Sequence, residues 1–404
     1  MRKIYIAVAV LLVSVLFAIF NNFSSKVNEA KAFAFEMESR YNKYVVTNKN
    51  SNLYDANGNE VGIVSKDTRL VLDAFNNSEY YKIKDLDLYI NFADINKINK
   101  FIYNERYKYY IPFNINIKTK DNTKFFDEND KLVYSINRSY EFTVIIKDNY
   151  KYGILFNNQL LYIKLNDIAS IYNNANTVKN KKNIRTITYH FLYDPNKRLC
   201  DEAICLTLSK FEEQLKYIRD NDYFTLTLDE LELYMDGKLQ IPNKSIVLTI
   251  DDGTVIDQKV LDLLEKYKVN MTLFLITGWM DKSLYQSKYL ELESHTNDMH
   301  TANVCKGYGL QGAGILCLPK EDIVYDLKES QRILGGSKYF AYPLFDYNER
   351  AISILKEVGF HMAFVGALDT DGISTPGITD KYKMRRKTMF SNVDLNEFVF
   401  EYLN

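Results

Sequence analysis

From Arg185 onward, short apolar runs alternate with runs of helical periodicity. That alternation restricts this part of the chain to parallel β/α architecture, either a barrel or a doubly wound sheet. Ser245–Ile250 reads as an apolar strand. Asp257–Lys268 carries Val260, Leu261, Leu264 and Tyr267 at helical spacing, and Met271–Ile276 returns to strand. Pro319, suited to a first helical turn, opens a helix to Leu334. Tyr339–Tyr342 is the next strand, Asn348–Val358 a helix stopped by Gly359, and Met362–Val365 a further strand. In both architectures the functional groups collect at the C-terminal ends of strands.

The rest of the chain reads differently. At 404 residues it is too long for one ordinary core. Residues 41–175 have short alternating runs broken by Asn, Asp and Gly, the pattern of strands and turns. They contain a repeat. Leu53-Tyr54-Asp55 is echoed by Phe125-Phe126-Asp127, 72 positions on, and Tyr89-Ile90 with Asp94-Ile95 by Tyr162-Ile163 with Asp167-Ile168, 73 positions on. Two β units, 41–99 and 112–175, are expected, each of a size at which a small barrel folds alone. Their turn-and-strand spacing resembles bacterial SH3-like domains of cell-surface proteins, which implies a wall-binding module or a spacer. Residues 176–184 are polar and suit a linker, leaving a domain over 185–404.

Arg2 and Lys3 precede an uncharged apolar run, Ile4 to Phe20, which suits a membrane anchor over residues 1–22 with everything after it outside the cytoplasm. Residues 21–40 would form a polar stalk. Ala30-Lys31-Ala32 resembles a cleavage site, so secretion after signal removal is the rival reading. Four cysteines, Cys200 near Cys205 and Cys305 near Cys317, suggest two disulfides in an oxidising compartment, although three pairings are possible. A net charge of −1 supplies no basic field for nucleic acid.

The chemistry concentrates in two short segments. Ser245–Ile250 runs into Asp251-Asp252-Gly253, where Gly253 permits a sharp turn. Adjacent carboxylates repel, and one pKa would rise unless a metal binds one and leaves the other as a base. The second segment, His295-Thr-Asn-Asp-Met-His300, follows an apparent strand Tyr289–Ser294. Histidines at i and i+5 do not share a helix face, so they suit a strand end and its loop. A carboxylate and two imidazoles make a zinc-type ligand set with an open position for water.

Thr249-Ile250-Asp251-Asp252-Gly253 resembles the first motif of the polysaccharide deacetylases, the NodB-homology carbohydrate esterases. His295 to His300 is similar to their second motif, in the six-residue form of the poly-N-acetylglucosamine deacetylases, and Tyr189-His190 resembles the Tyr-His pair of that branch. Phe340-Ala341-Tyr342-Pro343 with Tyr347-Asn348 resembles the third motif. Gly359-Phe360 with Ala363-Phe364 resembles a later strand, and Arg386 resembles the Arg that steadies the catalytic Asp. The resemblance implies a distorted (β/α) barrel in which Asp252, His295 and His300 hold a divalent metal, zinc before cobalt or nickel. It implies Asp251 as general base, Arg386 and His190 as its catalytic partners, and Tyr342, Pro343 and the backbone N–H of Leu344 at the substrate and the oxyanion. The implied reaction removes acetyl groups from an N-acetylglucosamine polymer, either peptidoglycan or poly-N-acetylglucosamine.

The chain departs from that family in two places. Leu344-Phe345 stands where an aromatic and Gly are usual, and no histidine follows His361 to supply the late Leu-x-His acid. His190 and Asp346 are the remaining candidates for proton donor. A non-catalytic wall-binding protein and an O-acetyl glycan esterase are the rival functions. Trp279 reads equally as a sugar-stacking face or a core anchor. Gly307 to Gly314, between Cys305 and Cys317, reads as a disulfide-closed loop beside the site.

Overall fold

The computed structural model describes residues 44–73, 79–97, 105–173, 182–366 and 370–403. The anchor over 1–22, the stalk over 21–40 and most of the linker over 176–184 lie outside the described residues. Among the described residues no helix is long and apolar enough to cross a membrane. The chain divides into two compact units, one built from residues of 44–108 and 112–173, the other from 109–111 and 182–403.

In the first unit the repeat is a repeat of strand pairing. The hairpin Ser51–Tyr54/Glu60–Val64 and the hairpin Thr123–Phe126/Leu132–Ile136 have the same local cause. The Asp55 carboxylate accepts the amides of Asn57 and Asn59, and the Asp127 carboxylate those of Asn129 and Lys131. An Asp that folds the backbone around its own side chain makes a tight turn without help from elsewhere. Tyr44–Thr47 lies between Arg69–Val71 and Ile95–Lys97, just as Asn116–Thr119 lies between Glu141–Thr143 and Ile168–Tyr172. The halves join through Glu60–Val64 and Leu132–Ile136, antiparallel, with Ile63 opposite Ser135. Gly62 is required there, since a Cβ would stand 2.5 Å from the Ser135 carbonyl oxygen. Leu53, Ile90, Phe125 and Ile163 are all fully buried in one core.

The second unit is mixed α/β around a parallel sheet. Its strands are β1 (Ile184–Tyr189), β2 (Ser245–Asp252), β3 (Met271–Leu275), β4 (Leu290–Ser294), β5 (Tyr339–Ala341) and β6 (Met362–Phe364), adjacent in that order. Residues 384–388 pair with both edges. Met384 bridges Phe364 of β6, and Lys387 and Thr388 pair with Ile187 and Thr188 of β1. Helices α1 (Leu208–Asp220), α2 (Leu228–Met235), α3 (Lys259–Tyr267), α4 (Lys320–Leu334) and α5 (Glu349–Val358) connect them. Each bears an apolar stripe: α3 buries Val260 and Leu264, and α5 buries Ala351, Ile352, Ile354 and Leu355. Burying one such leucine or isoleucine contributes roughly 1.5–3 kcal/mol. Thr227 and Glu230 form a reciprocal capping box at α2. Asn348 caps α5, which Gly359 ends at φ 98°.

Register sets the level of the site. Asp252 lies opposite Leu275, Leu275 opposite Ser294, and Ser294 opposite Phe340. Tyr189 lies opposite Ile250. The residues that leave these strands, His190, Asp251, Asp252, His295 and Tyr342, therefore emerge at the same C-terminal rim.

Candidate metal centre

Strand β2 is buried along its whole length and carries Asp251 and Asp252 at its end. Asp252 has φ 72° and Gly253 φ 88°. A left-handed non-glycine residue costs on the order of 1–3 kcal/mol and persists where its surroundings impose it. Gly253 has no alternative, because a Cβ would also stand 2.6 Å from Leu275. The turn aims neighbouring carboxylates in different directions.

Asp252 faces the histidines. Its Oδ1 lies 3.4 Å from His295 Nε2 and 3.2 Å from His300 Nε2, and the ligand atoms of the three residues all lie within 4.8 Å of one another. His295 Nδ1 lies 2.8 Å from the Ala341 carbonyl oxygen. A carbonyl only accepts, so Nδ1 carries a proton and Nε2 is the atom left for a ligand role. Burial and the neighbouring His295 push the His300 imidazole down to about 4, which keeps it neutral. Asp252 Oδ1 is buried without a hydrogen-bond partner. A buried carboxylate oxygen with no donor, facing two imidazole nitrogens, is the donor set a divalent cation satisfies. The residues fit the metal that the sequence suggests.

Asp251 faces the other way. Arg386, fully buried, donates from Nη1 to Oδ1 at 2.6 Å and from Nη2 to Oδ2 at 2.8 Å. His190 Nε2 lies 3.9 Å from Asp251 Oδ2. Burial pushes the Asp251 carboxyl up, but Arg386, His295 and His190 more than offset it and hold it below the usual carboxylate range. Asp252 is likewise held down, by the two histidines against burial. The like-charge repulsion expected from the sequence thus raises neither carboxyl, because Arg386 outweighs burial at Asp251 and the facing histidines outweigh it at Asp252. Burial pushes His190 down against the pull of both carboxylates, so it is neutral, and its Nδ1 has no hydrogen-bond partner.

The segment after β5 departs from the sequence reading in two ways. Tyr342 is fully buried and its hydroxyl donates to the Tyr382 carbonyl at 3.0 Å, so its side chain packs in the core and cannot reach a substrate. Asp346 is 2% exposed and accepts the amides of Leu310, Gln311 and Ala313, which commits it to holding the Gly307–Gly314 loop. His361 sits at the N-terminal start of β6, away from the rim, paired with Glu232 at 3.1 Å. Pro343 is buried, while Leu344 and Phe345 both take left-handed backbone, φ 56° and 60°. The Phe345 ring packs 5.8 Å from His190 and 5.8 Å from the Arg386 guanidinium. It thereby covers the Asp251 side of the site.

Two disulfides are present, Cys200–Cys205 and Cys305–Cys317, the second closing the loop that Asp346 anchors. Trp279 is 44% exposed, its ring 5.8 Å from His300 and its indole N–H donated to Asp298, so it is not a core anchor. The sequence reading missed Asp326 and Ser330 of α4, which touch the loop around the histidines. Their signal is polarity on the buried stripe of Ile323 and Leu327.

Residues 238–363 match the family model described as polysaccharide deacetylase. A poly-beta-1,6-N-acetyl-D-glucosamine N-deacetylase of Staphylococcus aureus strain MRSA252 is 29% identical over 195 residues, 43% of this chain and 64% of that protein. The protein of the same name from Staphylococcus epidermidis is 26% identical over 183 residues, 39% of this chain and 60% of its own. The chain thus spans less than two thirds of the length of these curated relatives. The solved structure of IcaB from Ammonifex degensii is 22% identical, covering 52% of this chain and 93% of that one, with a TM-score of 0.44. The motif residues gather at one rim, and the stretch that matches the polysaccharide deacetylase family, residues 238–363, runs from the approach to β2 into β6.

Proposed function

We propose that the second unit is a divalent-metal-dependent de-N-acetylase that hydrolyses the acetamide of N-acetylglucosamine units in an extracellular polymer. The observation that carries this is Asp252 Oδ1, buried and unpartnered between two imidazole nitrogens, one residue from a carboxylate locked by Arg386. The names of the Staphylococcus relatives favour poly-β-1,6-N-acetylglucosamine, and peptidoglycan is the second polymer to test. Pairing of residues 384–388 with both sheet edges supports the distorted (β/α) barrel reading. The basic-then-apolar N-terminus supports a membrane-anchored, outward-facing protein, with residues 41–175 as a spacer or wall-binding module of SH3-like type.

Asp252, His295 and His300 would hold the cation, zinc being the ion this donor set suits, with cobalt or nickel as substitutes. Bound there, it supplies a Lewis acid for the carbonyl oxygen and a more acidic water. The remaining work falls to the chain. Asp251, ionised and held still by Arg386, accepts the proton of the attacking water. The backbone N–H of Leu344, after buried Pro343, donates to the developing oxyanion. Neutral His190, beside Asp251, takes over the proton that Asp251 drew from the water and delivers it to the amine as the C–N bond breaks, leaving acetate and a free amino sugar.

The absent late histidine and the commitment of Asp346 to its loop favour a second reading, a metal-holding binder with impaired turnover. Acetate release by the zinc-loaded full chain from chito-oligosaccharides, poly-N-acetylglucosamine and peptidoglycan decides between them. Release abolished by Asp251→Asn with zinc still bound supports the enzyme. Tight glycan binding without release supports the binder, and release from O-acetylated glycans alone supports an esterase.

A further inference from the structure

We infer that Asp326 is a positioning residue of the metal centre, shaping the loop between His295 and His300 so that His300 meets Asp252. The inference rests on the metal-site reading above. The residues between the two histidines belong to no helix or strand, so their amides have no ladder to join. Asp326 of α4, 7% exposed, supplies the acceptors. Its Oδ1 takes the Asn297 amide at 2.7 Å and its Oδ2 the Asp298 amide at 2.7 Å. Ser330, one turn along the same helix, lies 2.8 Å from Ser294 Oγ. Helix α4 therefore holds the loop on both sides of His295.

The loop needs holding. Thr296, β-branched and fully buried, takes φ 76°, a conformation such residues avoid. From the opposite side, Gly278 donates to the Asn297 carbonyl at 2.8 Å and Thr277 Oγ1 to Asn297 Oδ1 at 3.0 Å. Trp279 donates to Asp298 Oδ1 at 2.5 Å and sets its ring against His300. His295 is fixed independently, through Ala341 and the end of β4, whereas His300 hangs on the far side of the loop. A carboxylate suits this position because it presents two acceptors to two parallel N–H groups. An amide presents one, and its NH2 would face the other donor.

The test compares zinc affinity, by chelator competition, and the visible spectrum of the cobalt-loaded full chain in wild type, Asp326→Asn, Asp326→Glu and Ser330→Ala. Asp326→Asn is expected to bind zinc about 10–100-fold more weakly with an altered cobalt spectrum. Asp326→Glu, which keeps two acceptors, should recover most of the affinity. Ser330→Ala should melt lower with unchanged affinity. Wild-type zinc affinity and an unchanged cobalt spectrum in Asp326→Asn would overturn the inference alone. Failure of the wild type itself to bind zinc would remove the metal-site reading and this inference with it. Should Asp326→Asn not fold, amide hydrogen exchange in the wild type decides. Protection of Asn297 and Asp298 without zinc supports Asp326 as the organiser, and protection appearing only on zinc addition refutes it.

Discussion

Arg386 and Asp251 form a two-pronged ion pair, 2.6 and 2.8 Å, in which neither side chain reaches solvent to any useful extent, at 0% and 1% exposure. Such a pair is tolerated only while both members remain. Arg386→Met should therefore cost about 3–5 kcal/mol of stability and abolish turnover. Adding Asp251→Asn should restore most of the stability and none of the activity. Denaturant melts alongside acetate release check this, and a single variant as stable as wild type would contradict it.

Asp251→Asn alone separates binding from chemistry. The side chain keeps its size and lies outside the Asp252, His295 and His300 set. Zinc content should stay near wild type while acetate release falls about 100-fold or more, the usual loss for a general base. Loss of zinc in parallel would place Asp251 among the ligands instead.

His295→Ala and His300→Ala should each strip the metal, but with different structural cost. His295 is 2% exposed and bonds the Ala341 carbonyl, so its removal leaves a buried acceptor unsatisfied and costs on the order of 1–3 kcal/mol. His300 makes no comparable backbone anchor and should cost less. Metal analysis and thermal melts of the zinc-free proteins, side by side, test the ordering.

Two carboxyls of β4 predict an unusual pH profile. Burial pushes Glu291 and Glu293 up to about 7 from an unfolded value of 4.5. The folded state holds their protons over a range where the unfolded chain has released them. The stability they contribute is thus complete below about pH 4.5 and is lost as pH rises towards about 7. Glu291→Gln/Glu293→Gln should flatten that decline, gaining a few degrees in Tm at pH 8 relative to wild type and nothing at pH 4.5. An unchanged slope would mean that both groups ionise freely in the folded protein.

Much of the candidate metal centre is legible in the chain because its parts are contiguous in sequence. Asp251-Asp252-Gly253 ends an apolar run, and two of four histidines fall within six residues after another. Arg386 is different. Nothing local marks it apart from Arg385, and only its placement between β1 and β6 brings it to Asp251. Asp346 illustrates the opposite failure. Its residue type suits acid chemistry, but three amides 33 to 36 positions earlier claim it. Tyr342 sits in a motif yet points into the core, since strand alternation, not motif membership, decides which face a side chain takes. Helices α1 and α2 carry regular stripes, Leu208, Phe211, Leu215 and Ile218 in the first, but bear no chemical signal that singles them out.

The seam in the first unit has a symmetry of its own. Ile63 lies opposite Ser135, its counterpart 72 positions on, while Gly62 and Val64 pair with Ile136 and Tyr134, each other's counterparts. A local two-fold axis thus runs between the repeats, and each presents the other with a copy of the same strand. A fragment holding only the first repeat would be left with an open, self-complementary edge. It should associate through Ile63 against Ile63 into a dimer with a continuous sheet of eight strands, four from each chain.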